Sequence, residues 1–149
     1  MIRRTFLTGL AAAIASPVLA HDWTGSNDPG LAEWFMHLHR KDDFSCCGLG
    51  DAYPCQILIE ADPSRPFEDT GLVRITDGRE LSMTANSAKR LELPRGLELK
   101  YAYHKTTTEQ AGNPTDTAWV FLSVYEGNPP GKPNEVGQVY CVVPLPPGY

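Results

Sequence analysis

The sequence is short of basic residues: 13 lysines and arginines stand against 18 acidic residues, and the net charge is -5. Nucleic acids and anionic membrane surfaces attract proteins through a basic face, because their phosphate groups must be neutralised. The charge balance therefore argues against both as the main partner. A protein or a glycan remains compatible with it.

The sequence also lacks a hydrophobic run long enough to span a bilayer, which takes roughly 20 residues. Its apolar run between Phe6 and Ile14 is only about ten residues long and follows the basic pair Arg3-Arg4. Val18-Leu19-Ala20 then places small residues at the two positions that a signal peptidase recognises. We interpret residues 1–20 as a cleaved export signal, which predicts a periplasmic or secreted protein.

The segment Arg3-Arg4-Thr5-Phe6-Leu7 resembles a twin-arginine signal, which exports folded proteins. The serine before the arginine pair and the lysine after the segment are missing, so both export routes stay open. Removal of residues 1–20 leaves a single domain, 21–149, which is large enough to enclose a core. This mature chain keeps 11 of the 13 basic residues and all 18 acidic ones, a net charge of −7.

Recognised catalytic signatures are absent too. The sequence has no G-x-S-x-G motif and no C-x-x-C pair, and its carboxylates are scattered rather than arranged as a glycosidase pair. Adjacent cysteines rarely place both sulfur atoms on one zinc ion. These absences favour a non-catalytic protein, although they do not exclude an enzyme of another kind.

Cysteine is scarce, and its four positions are Cys46, Cys47, Cys55 and Cys141. An even number of cysteines in an oxidising compartment predicts disulfides, here two. A bond between the neighbours Cys46 and Cys47 would distort their peptide, which leaves one short loop to Cys55 and one long loop to Cys141. We favour Cys47–Cys55 with Cys46–Cys141, but the sequence does not decide between the two members of the pair.

One helix is predicted over about residues 29–40. Asp28 is its expected N-cap and Pro29 its first helical residue, a position that proline favours. The apolar residues that follow share one face of such a helix; they are Leu31, Trp34, Phe35 and Leu38. This stripe predicts that the helix packs on a sheet.

The rest of the chain has the patterns of β-strands. Leu72–Thr84 contains Asp77-Gly78, a dipeptide that favours a tight type I′ turn, and predicts a hairpin. Leu97–Tyr103 alternates apolar and polar residues, whereas Thr117–Tyr125 is apolar on both faces, as is typical of a central strand. Residues 106–116 are predicted to join these two strands as a long hairpin loop.

The last predicted strand, Gln138–Val143, carries Cys141 and follows a loop rich in proline and glycine. The tail after it cannot extend a sheet, because proline donates no backbone hydrogen bond. Together these elements predict an α+β domain, with one N-terminal helix packed on a mainly antiparallel, barrel-like sheet of about six strands. Disulfides are expected to hold this small fold together.

His21 would become the mature N-terminus if the signal is cleaved after Ala20. A free amine and an imidazole on one residue can chelate copper, as in the copper-dependent polysaccharide monooxygenases, which this start is similar to in that single feature. The other ligands would come from His37, His39 or His104. On a helix His37 and His39 point about 200° apart, and solvated positions are the alternative interpretation for all three.

Aromatic residues are numerous in the mature chain; they include Trp23, Trp34, Trp119, Tyr101, Tyr103, Tyr125 and Tyr140. Most are expected in the core. An aromatic patch on a sheet face would suit a protein partner or an envelope glycan, and the pattern alone does not separate the two roles.

His21-Asp22-Trp23 after the signal, Ser45-Cys46-Cys47, Cys55 and a lone cysteine in the last strand together resemble a group of small exported bacterial proteins of uncharacterised function. The resemblance implies export and disulfides and adds no catalytic residue. We therefore predict a non-catalytic binding or structural module of the cell envelope, without a cofactor. A copper-binding protein or small metalloenzyme that uses His21 is the alternative hypothesis.

Overall fold

A computed structural model describes residues 29–46, 51–78, 91–108, 113–146 and 148 of the protein. Along the chain the elements are α1 (Pro29–Met36), β1 (Asp51–Ile59), β2 (Gly71–Ile75), β3 (Glu98–Tyr101), a 3₁₀ turn (Tyr103–Lys105), β4 (Ala118–Tyr125) and β5 (Glu135–Val143). Within these ranges, neither helix has the length and apolar character that crossing a membrane would require.

The five strands form one antiparallel sheet in the order β3-β2-β1-β4-β5. The chain that follows β3 reaches β5 at the other end of the sheet, where the Thr107 amide donates to the Val142 carbonyl over 3.0 Å. This contact brings the two ends of the sheet together, so that the sheet curls almost into a barrel. The predicted antiparallel, disulfide-linked, β-rich fold is confirmed at this level.

The sheet curls around an inner core, since β3 and β5, its two edge strands, both contribute to the same buried cluster. Alternate residues of β1, β2 and β4 point into it, as the period of two in a strand requires, while irregular pairing between β4 and β5 places Val139 and Val142 there. Its members include Tyr53, Ile75, Leu93, Tyr101, Val120, Leu122 and Val142. The intervening residues of β4 and β5 face the opposite side of the sheet.

On that opposite side a second cluster, here called the helix-side core, contains Phe35, Leu38 and Cys46 together with residues of β4 and β5. The Phe35 ring meets the rings of Trp119 and Phe121 at centroid distances of 5.3 and 5.5 Å, nearly edge to face, an arrangement that aromatic pairs favour. Because β4 has a core on each side, its sequence is apolar on both faces, with Ser123 as the one polar residue, and the prediction of a central strand is confirmed.

The helix begins at Pro29 as predicted but ends at Met36 instead of near residue 40. Beyond it the chain becomes extended: His39 pairs with Ser45, and Arg40 pairs with Thr107. These bridges use backbone groups that a longer helix would have kept for itself, so the apolar spacing that continues to Leu38 does not extend the helix.

The predicted Cys46–Cys141 disulfide is present, with a Cα–Cα distance of 5.6 Å across 95 residues of sequence. The second predicted disulfide, Cys47–Cys55, is not formed, because Cys55 carries a free, buried thiol. Cys47 lies outside the described residues. Cys46 and Cys55 lie on different faces of the sheet: Cys55 belongs to the inner core and Cys46 to the helix-side core.

The predicted hairpin around Asp77-Gly78 is wrong in its pairing, since β2 has β1 on one side and β3 on the other. Gly78 instead accepts a hydrogen bond from the Leu93 amide at 2.8 Å. A Cβ at Gly78 would lie 1.7 Å from the Leu93 carbonyl oxygen, so glycine is needed for this close approach. Residues 79–84, the expected return strand, lie outside the described residues.

The predicted hairpin between β3 and β4 is wrong as well, because β2 and β1 separate these strands in the sheet. The link between them crosses to the far end of the sheet, and Thr106 and Thr107 pair with β5 on the way. This crossing closes the curl of the sheet. The same link ends at Asp116 and Thr117, which line a cleft at this end of the sheet.

Candidate ligand-binding cleft

The sheet has a gap beside the second half of β1, because β1 extends past the first residue of its antiparallel partner β4. Residues 51–55 of β1 pair with Leu122–Ala118 of β4, and β4 begins at Ala118. Residues 56–59 therefore pair with β2 alone among the described strands. Because no second strand of the described part of the chain lies beside these residues, this end of the sheet has an opening.

A cleft of about 780 Å³ occupies this opening, a volume within the usual range of ligand sites. One wall is the exposed half of β1, the second is the segment before β4, and the third is the C-terminal tail. The described lining residues are Cys55, Gln56, Ile57, Leu58, Glu60, Thr76, Asp116, Thr117, Ala118, Pro144, Leu145, Pro146 and Gly148.

A hydrogen-bond network holds the second and third walls together. The Asn113 side-chain amide donates to the carbonyls of Thr117 at 2.7 Å and of Pro144 at 3.0 Å. The Thr115 hydroxyl donates to the Asn113 side-chain oxygen at 2.6 Å and accepts from the indole nitrogen of Trp119 at 3.0 Å. This network fixes the chain before β4 in a turn, away from β1, and so keeps the cleft open.

A smaller cavity of about 190 Å³ continues from the cleft and shares Ile57, Glu60 and Pro144 with it. Its other described lining residues are Lys41, Ala61, Tyr101, Tyr103, Thr106 and Thr107. The Tyr101 hydroxyl donates to the Ile59 carbonyl and accepts from the Ala61 amide, both at 3.3 Å. Tyr101 thus fixes the end of β1 at the junction of the two spaces.

The larger cleft is negatively charged. It contains the carboxylates of Glu60 and Asp116, and none of its described lining residues is a lysine or arginine. Lys41 lines only the smaller cavity, where its amine lies 5.1 Å from the centre of the Tyr103 ring. Burial raises the pKa of the Tyr101 hydroxyl, so this group stays protonated and able to donate near neutral pH. The electrostatics of the larger cleft favour a cationic ligand.

Cys55 is the one described cysteine in the cleft wall, and burial raises the pKa of its thiol to about 12. Nucleophilic cysteines work as thiolates and have lowered pKa values. The Cys55 thiol stays protonated at neutral pH, which does not suit it for attack on a substrate.

The three described histidines are not brought together. The Nδ1 atoms of His37 and His39 lie 2.8 Å from the carbonyl oxygens of Glu33 and His37. Nδ1 of His104 lies 2.9 Å from the Pro66 carbonyl oxygen. Within the described ranges no group of three or more histidine, cysteine or acidic side chains is arranged to hold a metal ion. His21 lies outside the described residues, so a copper site there stays a prediction.

Most of the described aromatic residues are structural, as expected: Trp119 and Tyr101 are buried and Trp34 packs against the helix-side core. Sequence reasoning did not single out the most exposed one, Phe67, which is 78 % exposed and stacks on His104 with ring centres 5.0 Å apart. Its loop is held by hydrogen bonds to the Pro66 carbonyl from the His104 amide and ring. Phe67 therefore forms an exposed apolar surface outside the cleft, and it lines neither of the two described cavities.

Comparison with protein-family models, with curated proteins and with solved structures found no match in any of the three. The resemblance to small exported bacterial proteins therefore stays a prediction. What the chain binds has to be argued from the cleft itself.

The cleft could not be found by inspection of the sequence, because it arises from the offset between β1 and β4. The segment 106–116 was predicted as a connection between strands. Nothing local shows that β4 starts opposite Cys55. A weak signal exists in Asn113-Pro114-Thr115, since asparagine and threonine side chains often hold their own backbone in turns.

Proposed function

We propose that the protein is an exported, non-catalytic α+β binding module of the cell envelope, and that the cleft beside β1 is its ligand site. The single observation that carries this proposal is the 780 Å³ cleft along the half of β1 that has no second partner among the described strands. Export to the periplasm or outside the cell rests on the signal-like residues 1–20 and on the Cys46–Cys141 disulfide, which persists in oxidising compartments.

Two properties of the cleft support binding. Its walls combine apolar contacts from Ile57, Leu58 and Leu145 with polar groups from Glu60 and Asp116, the mixture that small-ligand and peptide sites use. The Asn113 network fixes two of the walls before a ligand arrives, which lowers the ordering cost of binding.

The test compares two glutamines that are both exposed on strands. Gln56 lines the cleft, whereas Gln138 lies on β5 and is not among the cleft residues. Wild-type protein, Gln56→Trp and Gln138→Trp are screened against immobilised peptides and glycans, with far-ultraviolet circular dichroism as the check that each variant is folded.

We expect a class of ligand that the wild type and Gln138→Trp retain and that Gln56→Trp loses, because the indole would fill the cleft. If the array yields no ligand, or if every ligand is retained equally by Gln56→Trp, the cleft is not the binding site and the proposal is wrong. Export is tested separately: expression with residues 1–20 in a Gram-negative host should yield a periplasmic or secreted product that lacks them by mass spectrometry.

A further inference from the structure

We propose that the ligand of the cleft is an extended, basic peptide that adds a strand to the open edge of β1. This inference rests on the proposed function, since it names the ligand class of the same site. In such strand addition the backbone hydrogen bonds of the sheet edge give affinity, and the pockets beside it select alternate side chains.

The backbone of β1 presents hydrogen-bonding groups to the cleft. Along an antiparallel strand, successive residues direct their amide and carbonyl groups to opposite neighbours. The Pro54 carbonyl accepts from the Thr76 amide at 3.1 Å, on the β2 side, so Cys55 and then Ile57 direct theirs to the other side. Cys55 has Ala118 of β4 as its neighbour there, whereas Ile57 lines the cleft.

The side chains of this edge offer little of the usual protection, and the one protective feature that the described strands show here is a register shift between Ile57 and Ile59. Exposed strand edges in soluble proteins are normally blocked by a charged residue, a proline or a covering element, because they otherwise pair with other chains. Residues 56–59 read Gln-Ile-Leu-Ile and include neither a charge nor a proline. The Ile59 side chain at the end of this edge is 53 % exposed. An edge of this kind is suited to be covered by a partner strand.

The opening is long enough for a short strand. Residues 56–59 span about 13 Å at a rise of roughly 3.3 Å per residue. A strand placed there would continue the line of β4, beyond the point where the Asn113 network turns the chain aside. An extended peptide of about four residues therefore fits the length of the open edge.

The charge and apolar surface of the cleft determine which side chains such a peptide carries. Glu60 and Asp116 favour lysine or arginine, since no lysine or arginine among the described lining residues offsets their charge. Leu145 lines the cleft and is 40 % exposed, so it offers apolar surface to the residues in between. A peptide that alternates basic and apolar residues satisfies both demands.

The probe is a fluorescein-labelled hexapeptide, Lys-Val-Lys-Val-Lys-Val, measured by fluorescence anisotropy and by ¹H–¹⁵N NMR of the protein. Two matched peptides accompany it. One carries N-methyl groups on alternate amides, prepared in both registers, which removes backbone donors and keeps every side chain. The other replaces each lysine by glutamate.

We expect the parent peptide to bind, to shift the Ile57 amide signal and to slow its hydrogen exchange. N-methylation in the register that faces Ile57 should weaken binding by up to about tenfold, because the donor to the Ile57 carbonyl is lost. The glutamate peptide should not bind. Glu60→Gln and Asp116→Asn should each weaken binding by roughly two- to fivefold, while Glu135→Gln, an exposed carboxylate on β5 that is not among the cleft residues, should leave it unchanged.

Three results would overturn the inference, and they separate it from the proposed function. Equal binding of the parent peptide and both N-methylated forms would show that no edge pairing occurs. Failure of every peptide, with an array ligand that Gln56→Trp still abolishes, would refute the peptide and keep the cleft as a binding site. Absence of any ligand that depends on Gln56 would refute both.

Discussion

Reduction of the Cys46–Cys141 disulfide is expected to lower the free energy of unfolding of the protein by a large amount. The bond joins residues 95 positions apart, and the chain-entropy model gives about 4.7 kcal/mol for a loop of this length. Domains of this kind have a free energy of unfolding of about 5–15 kcal/mol. The crosslink would then account for about a third of the stability or more, and a protein at the low end of that range would be largely unfolded without it.

The assay has to separate the crosslink from the packing of its sulfur atoms, because both cysteines are fully buried in the helix-side core. Reduction of the wild type keeps both sulfur atoms and removes only the bond. We would follow urea unfolding at pH 7 by tryptophan fluorescence, with and without a phosphine reductant, in a Cys47→Ser background that prevents exchange with the neighbour of Cys46.

With an m-value of about 2 kcal/mol per molar urea, the midpoint should fall by about 2 M on reduction. The matched control is Cys46→Ala with Cys141→Ala, whose midpoint should not respond to the reductant. If mass spectrometry shows complete reduction and the midpoint moves by less than about 0.3 M, the crosslink does not restrain the unfolded chain as argued.

Three further changes test other parts of the structure. With a pKa of about 12, only about one Cys55 thiol in 10,000 is ionised at pH 8. Iodoacetamide should therefore label Cys55 in urea but not in the folded protein. Fast labelling of the folded protein would contradict the burial of this thiol. Tyr101→Phe should lower the free energy of unfolding by about 1–3 kcal/mol, because the buried Ala61 amide loses its acceptor, and a loss under about 0.5 kcal/mol would show that this amide finds another partner. The hydrogen bond from Arg40 lowers the pKa of Asp42, so its contribution to stability is complete above the unfolded pKa of about 4 and disappears as the pH falls through the folded value. The free energies of unfolding at pH 7 and pH 3, measured by urea titration, should therefore differ by less in Asp42→Asn than in the wild type, by at most about 1 kcal/mol. An identical pH dependence in the two proteins would refute this role.

Local patterns predicted the elements that local physics determines. The apolar stripe through Phe35 and Leu38 marked the side chains that are buried in the helix-side core. The continuous apolar run of β4 indicated a strand with a core on each face. The distance between Cys46 and Cys141 in sequence indicated a long crosslink, since the neighbouring cysteines left few other pairings.

Pairing between strands could not be predicted in the same way, because it depends on residues far apart in the chain. Asp77-Gly78 has the composition of a tight hairpin turn, yet β1 and β3 occupy both sides of β2. Cys55 has the parity of Tyr53 along β1, and both point into the inner core. Its position away from the Cys46–Cys141 disulfide, which lies in the helix-side core, follows from that parity, and the parity becomes visible only when β1 is known to start at Asp51.

The position of the cleft depends on the helix-side core, although the two lie at different places in the fold. Trp119 belongs to that core, where its ring meets Phe35, and its indole nitrogen donates to Thr115, the residue before Asp116 of the cleft wall. Thr115 in turn bonds Asn113, which holds the tail at Pro144. The disulfide fastens Cys46 into the same core through Cys141 of β5. A single chain of contacts therefore runs from the crosslink to the start of β4, and because β4 starts opposite Cys55, residues 56–59 of β1 have no second partner among the described strands.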